Sequence, residues 1–327
     1  MLDTLLEPFA FEFFRNGLWA ALMVGALCGM IGVFIVLRGM SYIGHGLSHA
    51  AFGGAVLGYT LNVNFYLGAV IVAFVAALLI HQLSKDGKIK SDAAIGIVTT
   101  AIFALGVALI SRVRQFTQSF EAALFGNILG VTTTDLWVIA AVLTVAAVGL
   151  LLFYRPLLFS TFDRDAAAVF GIPTERLQMG FSLVLALAII ASMNIVGVTM
   201  IAAALIIPAS TARLLSDSFS AMLIISTLLG ALLGVSGLYA SYHFDAASGA
   251  TIVLFGAAAF LVALIYTRIR ERLTMHEHLH YHGDVAHAHP HTHDGEHAHT
   301  HDGPLTPAKG RTSGTTALAD AKYEKLP

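Results

Sequence analysis

About nine apolar runs of roughly twenty residues, set apart by short polar stretches, constrain this chain most. A helix needs about 20 such residues to cross the hydrocarbon core of a bilayer. The runs cover about 16–37, 43–61, 65–83, 92–110, 136–154, 177–193, 196–215, 221–242 and 249–266. Of the 327 residues 57% are hydrophobic and 12% charged, where soluble domains carry about 25% charged residues. The fold class expected is all-α, a polytopic membrane helix bundle of about 8–9 transmembrane helices. Residues 112–130, with Glu121 and Asn127 among Phe120, Phe125 and Leu129, read as a short or re-entrant segment.

The formal net charge of −2 gives no reason to expect a nucleic-acid partner. The single cysteine, Cys28, excludes an intramolecular disulfide and a CxxC site. Asp3, Glu7 and Glu12 precede the first apolar run, the reverse of the basic start of a secretory signal, so that helix is expected to be retained. Lys85, Lys88 and Lys90, then Arg155, Arg164 and Arg176, then Arg268, Arg270 and Arg272 share one side of a nine-crossing arrangement. The positive-inside rule makes that side cytoplasmic and puts the C-terminus inside; Arg112 and Arg114 fall on the other side. Glycine pairs four apart, Gly25/Gly29, Gly54/Gly58 and Gly230/Gly234, predict close helix packing.

The chemistry gathers in Ser41–Gly54, where His45 and His49 stand four apart in an apolar, glycine-rich run. On a helix such a pair shares one face, and both rings can reach one divalent cation through metal–nitrogen bonds of about 2.0–2.1 Å. The plainer reading, in which each ring only packs, loses ground for a spaced pair because intramembrane ionisable groups usually mark a pathway or site.

Between Arg155 and Arg176, Asp163 or Asp165 is positioned to start a short helix through 166–170 that Gly171 and Pro173 would stop. Such a segment suits docking to another protein, or is a solvated connector. From Glu271 the composition changes abruptly. His276, His278, His280, His282, His287, His289, His291, His293, His297, His299 and His301 lie among Asp, Gly, Pro and Glu. A tract of this kind buries too little apolar surface to fold, and its His-x-His alternation offers ligands to zinc, nickel, cobalt or copper. Two domains are expected, a transmembrane domain over 1–270 and a disordered His-rich cytoplasmic tail over 271–327.

Four stretches in order resemble the integral-membrane permeases of the manganese/zinc/iron ABC transporters. They are Val36–Ser41 leading into Gly44–Ala50, Phe162–Pro173, Val196–Met200 through Ile207–Leu215, and Ser241–Ala250. The resemblance spans about 8–270. It implies a type II-like ABC importer permease in a prokaryotic cell membrane, working as a homodimer or close pair. Cytoplasmic ABC ATPase subunits and an extracytoplasmic metal-binding protein would be its partners. In that reading Asp163, Asp165, Ala167 and Gly171 belong to the loop coupled to the ATPase, and His49 lines the metal pathway. No cofactor would be bound permanently, and ATP would be used by the partner, consistent with the lack of a Walker A sequence here.

His45 departs from the family's Gly-Asp-x-x-Ser-His pattern, having imidazole where many manganese members have Asp. Exchanging oxygen for nitrogen moves a site toward borderline metals, so zinc is the first expectation, with manganese or iron as alternatives. Ala247 stands where the family often has proline, a smaller departure. Asp245 and His243 read as a candidate outer vestibule or as structural groups, and Asn194 is read the same way at another outer turn.

Three rival classes are open to test. An intramembrane metalloprotease would need His-Glu-x-x-His, and Gly46 stands in place of the glutamate. An ATP-independent secondary metal carrier would transport without a partner ATPase. A siderophore- or cobalamin-type ABC permease would need a wider pathway, in which a histidine pair has no evident use.

Overall fold

The computed structural model describes residues 6–85, 88–112, 126–274, 276–282 and 285–291. The chain divides into two units, Met1–Arg272 and Leu273–Pro327. Eleven α-helices are found among the described residues: α1 Glu12–Leu37, α2 Ser41–Thr60, α3 Phe65–Lys85, α4 Ser91–Ile110, α5 Thr133–Leu152, α6 Tyr154–Phe162, α7 Arg164–Val169, α8 Thr174–Val196, α9 Ile201–Leu215, α10 Phe219–Phe244 and α11 Ser248–Thr274.

Seven of them (α1, α3, α4, α5, α8, α10 and α11) are long and apolar enough to cross a membrane. The two other expected crossings are helical but differ in kind. Helix α2 packs against α3, α4, α8 and α9, so its polar residues meet protein, and a protein-enclosed helix needs no all-round apolar surface. Helix α9 has 15 residues, about 22 Å at 1.5 Å per residue. It starts later than its apolar run suggests because α8 continues through Asn194 to Val196. The break comes at Gly197, whose φ of 88° is a conformation glycine adopts without penalty.

Helices α1 and α10 form the most intimate pair. A Cβ on Gly25 would run into the Gly230 carbonyl and one on Gly29 into the Ser226 carbonyl, while Ser226 Oγ donates to the Gly29 carbonyl at 2.6 Å. The Gly54/Gly58 pair packs in the same way against Gly68 of α3, as the spacing predicts. Replacing Gly230 with valine is expected to lower stability by about 1–3 kcal/mol or more, the usual penalty of overpacking. A melting curve of the detergent-solubilised variant matching the native one would show that the helices tolerate separation.

Of the irregular segment 112–130, residues 113–125 lie outside the described residues; Ile128–Gly130 form one 3₁₀ turn beside α1 and α8. Helix α5 starts at a reciprocal cap in which Asp135 and Thr132 bond each other's side chains and backbone.

The 155–176 loop is more helical than its sequence suggests. Helix α6 occupies 154–162, and Asp163, not Asp165, caps α7, its Oδ1 accepting from the Ala166 amide at 2.8 Å. Gly171, at φ 81°, ends that turn. Arg38, at the end of α1, reaches across to this region. Its guanidinium donates to Thr161 Oγ1 at 3.1 Å, Gln178 Oε1 at 2.8 Å and Ser160 Oγ at 3.4 Å, and lies 4.7 Å from the Phe181 ring centre. Burial, then the charge of Arg164, pull its pKa down to about 10, so it stays a cation at neutral pH.

In the second unit, β1 His276–His282 and β2 Val285–His291 pair antiparallel. Strict alternation of histidine suits the two-residue period of a strand.

Candidate functional site

His45 and His49 lie in the first half of α2, and the α2 residues between and beyond them are held by close packing. A Cβ on Gly46 would stand 2.6 Å from Ile95 Cγ2 and 3.0 Å from Thr99 Cγ2, so glycine there lets α4 lie against the helix. Ser48, fully buried, has its Oγ 2.8 Å from the His45 carbonyl and 3.0 Å from the Val198 carbonyl. It thereby ties the histidine turn to the break between α8 and α9.

The two imidazoles converge. Their Nε2 atoms are 3.0 Å apart, the rings are nearly perpendicular at 88° with centres 4.3 Å apart, and His49 meets Phe103 edge-on with ring centres 4.6 Å apart. Two cis ligands with bonds of about 2.0–2.1 Å to one cation hold their nitrogens about 2.9–3.4 Å apart. The observed separation lies in that range. It equally suits a proton shared between the rings when no cation is present. His49 Nδ1 is buried with no hydrogen-bond partner among the described residues.

Both rings line a cavity of about 430 Å³ with Tyr42, Asp92, Thr99, Thr100 and Phe103 among its walls. Asp92 stands in the first turn of α4, so the cavity adds a carboxylate and the three hydroxyls of Tyr42, Thr99 and Thr100 to the imidazoles. Within the helical unit, no group of three or more His, Cys, Asp or Glu close enough to hold a metal is found among the described residues. The two imidazoles alone would offer a cation two nitrogens, and any further ligands would have to come from water, from Asp92 or from another chain. Sequence reading missed Asp92, Thr99 and Phe103. The signal was available, since 92, 96, 99, 100 and 103 recur at helical spacing along an apolar segment.

At the loop end of the bundle, Ala167 is fully buried beneath α7, whereas Val169 and Phe170 are 86% and 77% exposed. Asp163, Asp165 and Gly171 are exposed on the same segment. The result is an apolar knob among charged residues. Near the other end, His243 packs on Tyr239, with ring centres 4.6 Å apart. Asp245 caps α10 in the left-handed region at φ 49°, its amide donating to the Ser241 carbonyl. Asn194 lies within α8, not at a turn. Of the tail histidines, His276, His278, His280, His282, His287, His289 and His291 fall on the ribbon. His293, His297, His299 and His301 lie outside the described residues.

The profile of the ABC 3 transport family matches residues 10–267. The manganese transport system membrane protein MntC of Halalkalibacterium halodurans is 39% identical over 267 residues, covering 82% of this chain and 91% of MntC. The chelated iron transport system membrane protein YfeD of Yersinia pestis is 36% identical, over 83% of this chain and 91% of YfeD. Among solved structures, PsaBC from Streptococcus pneumoniae in complex with a Fab has a chain that superposes with a TM-score of 0.74 at 34% identity. That match covers 83% of this chain and all of the other. The chain belongs to the ABC 3 transport family.

Proposed function

We propose that this protein is the non-enzymatic, membrane-spanning subunit of an ATP-driven importer of a divalent first-row transition metal. The observation that carries the reading is the convergence of His45 and His49 Nε2 at 3.0 Å on a cavity inside a transport-family bundle. An extracytoplasmic metal-binding protein delivers the cation, the imidazole pair takes it up, and a second permease beside this one completes the pathway. ATPase subunits on the cytoplasmic side engage the knob around Asp163, Asp165, Ala167 and Gly171 and switch access from outside to inside. The C-terminus is cytoplasmic in this arrangement, in keeping with the Lys/Arg bias.

The names of the relatives support manganese or iron as cargo, whereas ligand chemistry supports zinc, because manganese prefers more oxygen than two imidazoles provide. His45 is the residue assigned to this choice. Exchanging it for aspartate is expected to raise manganese uptake relative to zinc by about tenfold, a difference of about 1.4 kcal/mol in site preference. An unchanged ratio would remove His45 from metal selection.

The test of the whole reading is uptake of radiolabelled manganese, iron and zinc, offered separately to cells with and without the partner ATPase. Uptake of at least one metal that stops with loss of the ATPase is expected. Uptake that persists would favour a secondary carrier and overturn the proposal. Transport of an organic metal chelate alone, with no free cation carried, would favour the siderophore- or cobalamin-type permease.

A further inference from the structure

A second cavity of about 430 Å³ lies at the end of the bundle where α3 stops and α4 begins, and it carries charges of both signs. Its walls include Arg164 and Asp165 from the start of α7, Ser84 from the last turn of α3, Ser91 from the first turn of α4 and Glu175 from the first turn of α8. His81, less than one turn before Ser84, lines this cavity and also a narrow crevice between α3 and α8, whose other walls include Phe74, Leu78 and Met179. Along α3, the distance from His81 back to Phe74 is about 10 Å at 1.5 Å per residue. The seam thus passes from polar to apolar within about two turns of helix, from the helix ends toward the middle of the bundle.

The groups in the cavity are complementary to more than one kind of charge. Arg164 brings a planar cation that only donates, and Asp165 a carboxylate that only accepts. Ser84 Oγ donates to the Ile80 carbonyl at 2.9 Å, with the His81 carbonyl at 3.3 Å, so toward the cavity its oxygen can only accept. After burial, the charge of Arg164 is the next influence that lowers the Arg38 pKa, and an anion beside Arg164 would offset that repulsion between like charges. A simple anion in the cavity would also meet the carboxylates of Asp165 and Glu175, and a simple cation would meet Arg164. A ligand with both charges a few bonds apart satisfies the two sets together.

We infer that this seam binds a phospholipid with an ethanolamine headgroup, its phosphate on Arg164 and Ser91, its ammonium toward Asp165 and Ser84, and an acyl chain along the crevice of Phe74, Leu78 and Met179. Basic pockets between membrane helices are a general device for holding lipid headgroups, and the carboxylate beside the arginine narrows this one to a zwitterion. Phosphatidylcholine has no N–H to donate and phosphatidylglycerol has no cation, so each forgoes a charged hydrogen bond. Because Arg164 and Asp165 open α7, a lipid held there ties that short helix to the ends of α3, α4 and α8. The seam is separate from the His45/His49 pair, and its test is lipid binding rather than transport, so it stands or falls independently of the proposed function.

The experiment uses the full-length protein, delipidated in detergent and titrated with phosphatidylethanolamine, phosphatidylcholine or phosphatidylglycerol of identical chains. Bound lipid is counted by native mass spectrometry, and α7 is followed by amide hydrogen exchange. Phosphatidylethanolamine is expected to bind about tenfold more tightly than either of the others, as one charged hydrogen bond provides, and it alone should slow exchange across 164–169. Arg164→Gln is expected to weaken that binding about tenfold, and Asp165→Asn to abolish the preference over phosphatidylglycerol. Arg176→Gln alters an exposed arginine that does not line the cavity and is expected to change the affinity less than about twofold. Phosphoethanolamine without chains, at the same concentration, is expected to give no protection. Equal binding of the three lipids, or no effect of either cavity variant, would overturn the inference in favour of unselective lipid around the bundle. Equal protection by phosphoethanolamine alone would overturn it in favour of a soluble phosphate ester.

Discussion

Replacing His49 with alanine is expected to reduce metal uptake by about 100-fold or more, since even partners that only orient a ligand are typically worth 10–100-fold in metal affinity. His49 holds one half of the convergent nitrogen pair, and its ring orientation is fixed by Phe103. Its neighbours remain as scaffold: Ser48 is tied to Val198 and Leu47 is fully buried. The folded protein should therefore accumulate and melt normally while failing to transport. His45→Ala should fall in the same direction, and the double variant should be little worse than either single one, because one remaining imidazole is not half a clamp. Undiminished uptake of manganese, iron and zinc in both single variants would remove the pair from the pathway.

The second large effect is expected at Arg38. Its guanidinium joins the end of α1 to Ser160 and Thr161 of α6 and Gln178 of α8, three residues before the helix that carries the histidines begins. Charged hydrogen bonds of this kind contribute about 1.5–3 kcal/mol each, offset in part by the desolvation of the cation. Arg38→Ala should therefore lower stability by about 2–4 kcal/mol. It should also disconnect the α6–α7 segment from α2, so that metal no longer stimulates ATP hydrolysis by the assembled transporter. Arg38→Lys should recover much of the stability but little of the coupling, because one ammonium cannot reproduce a planar fork aimed at three acceptors. Full stimulation in Arg38→Ala would show that the link is only structural.

The pieces that could be read from the sequence were those whose partners lie within one or two turns. His45 and His49 face together because of a four-residue interval, and Asp163 caps α7 because its acceptor lies three residues from the amide it serves. Asp92 joins the cavity from a different helix, 43 positions beyond His49, and only packing brings it there. Helix α6 was hidden by Pro156, which suggests a break, yet it falls in the first turn, where a missing N–H removes no intrahelical bond. The α8–α9 break was placed too early because Asn194 resembles a turn residue, although it is Gly197 that takes the required positive φ.

The size of the cavity beside the histidines bears on a different problem, the refusal of the commonest cellular cations. At about 430 Å³ it has room for on the order of ten waters, each claiming about 30 Å³. On the proposed pathway an incoming ion would thus keep most of its hydration shell and surrender only the waters that the imidazoles replace. Magnesium gives up even that fraction reluctantly and gains little from nitrogen, and calcium seeks a fuller oxygen shell. A proposed pathway site that takes its two nitrogens from His45 and His49 would therefore turn both away without gripping its chosen ion too tightly to release it.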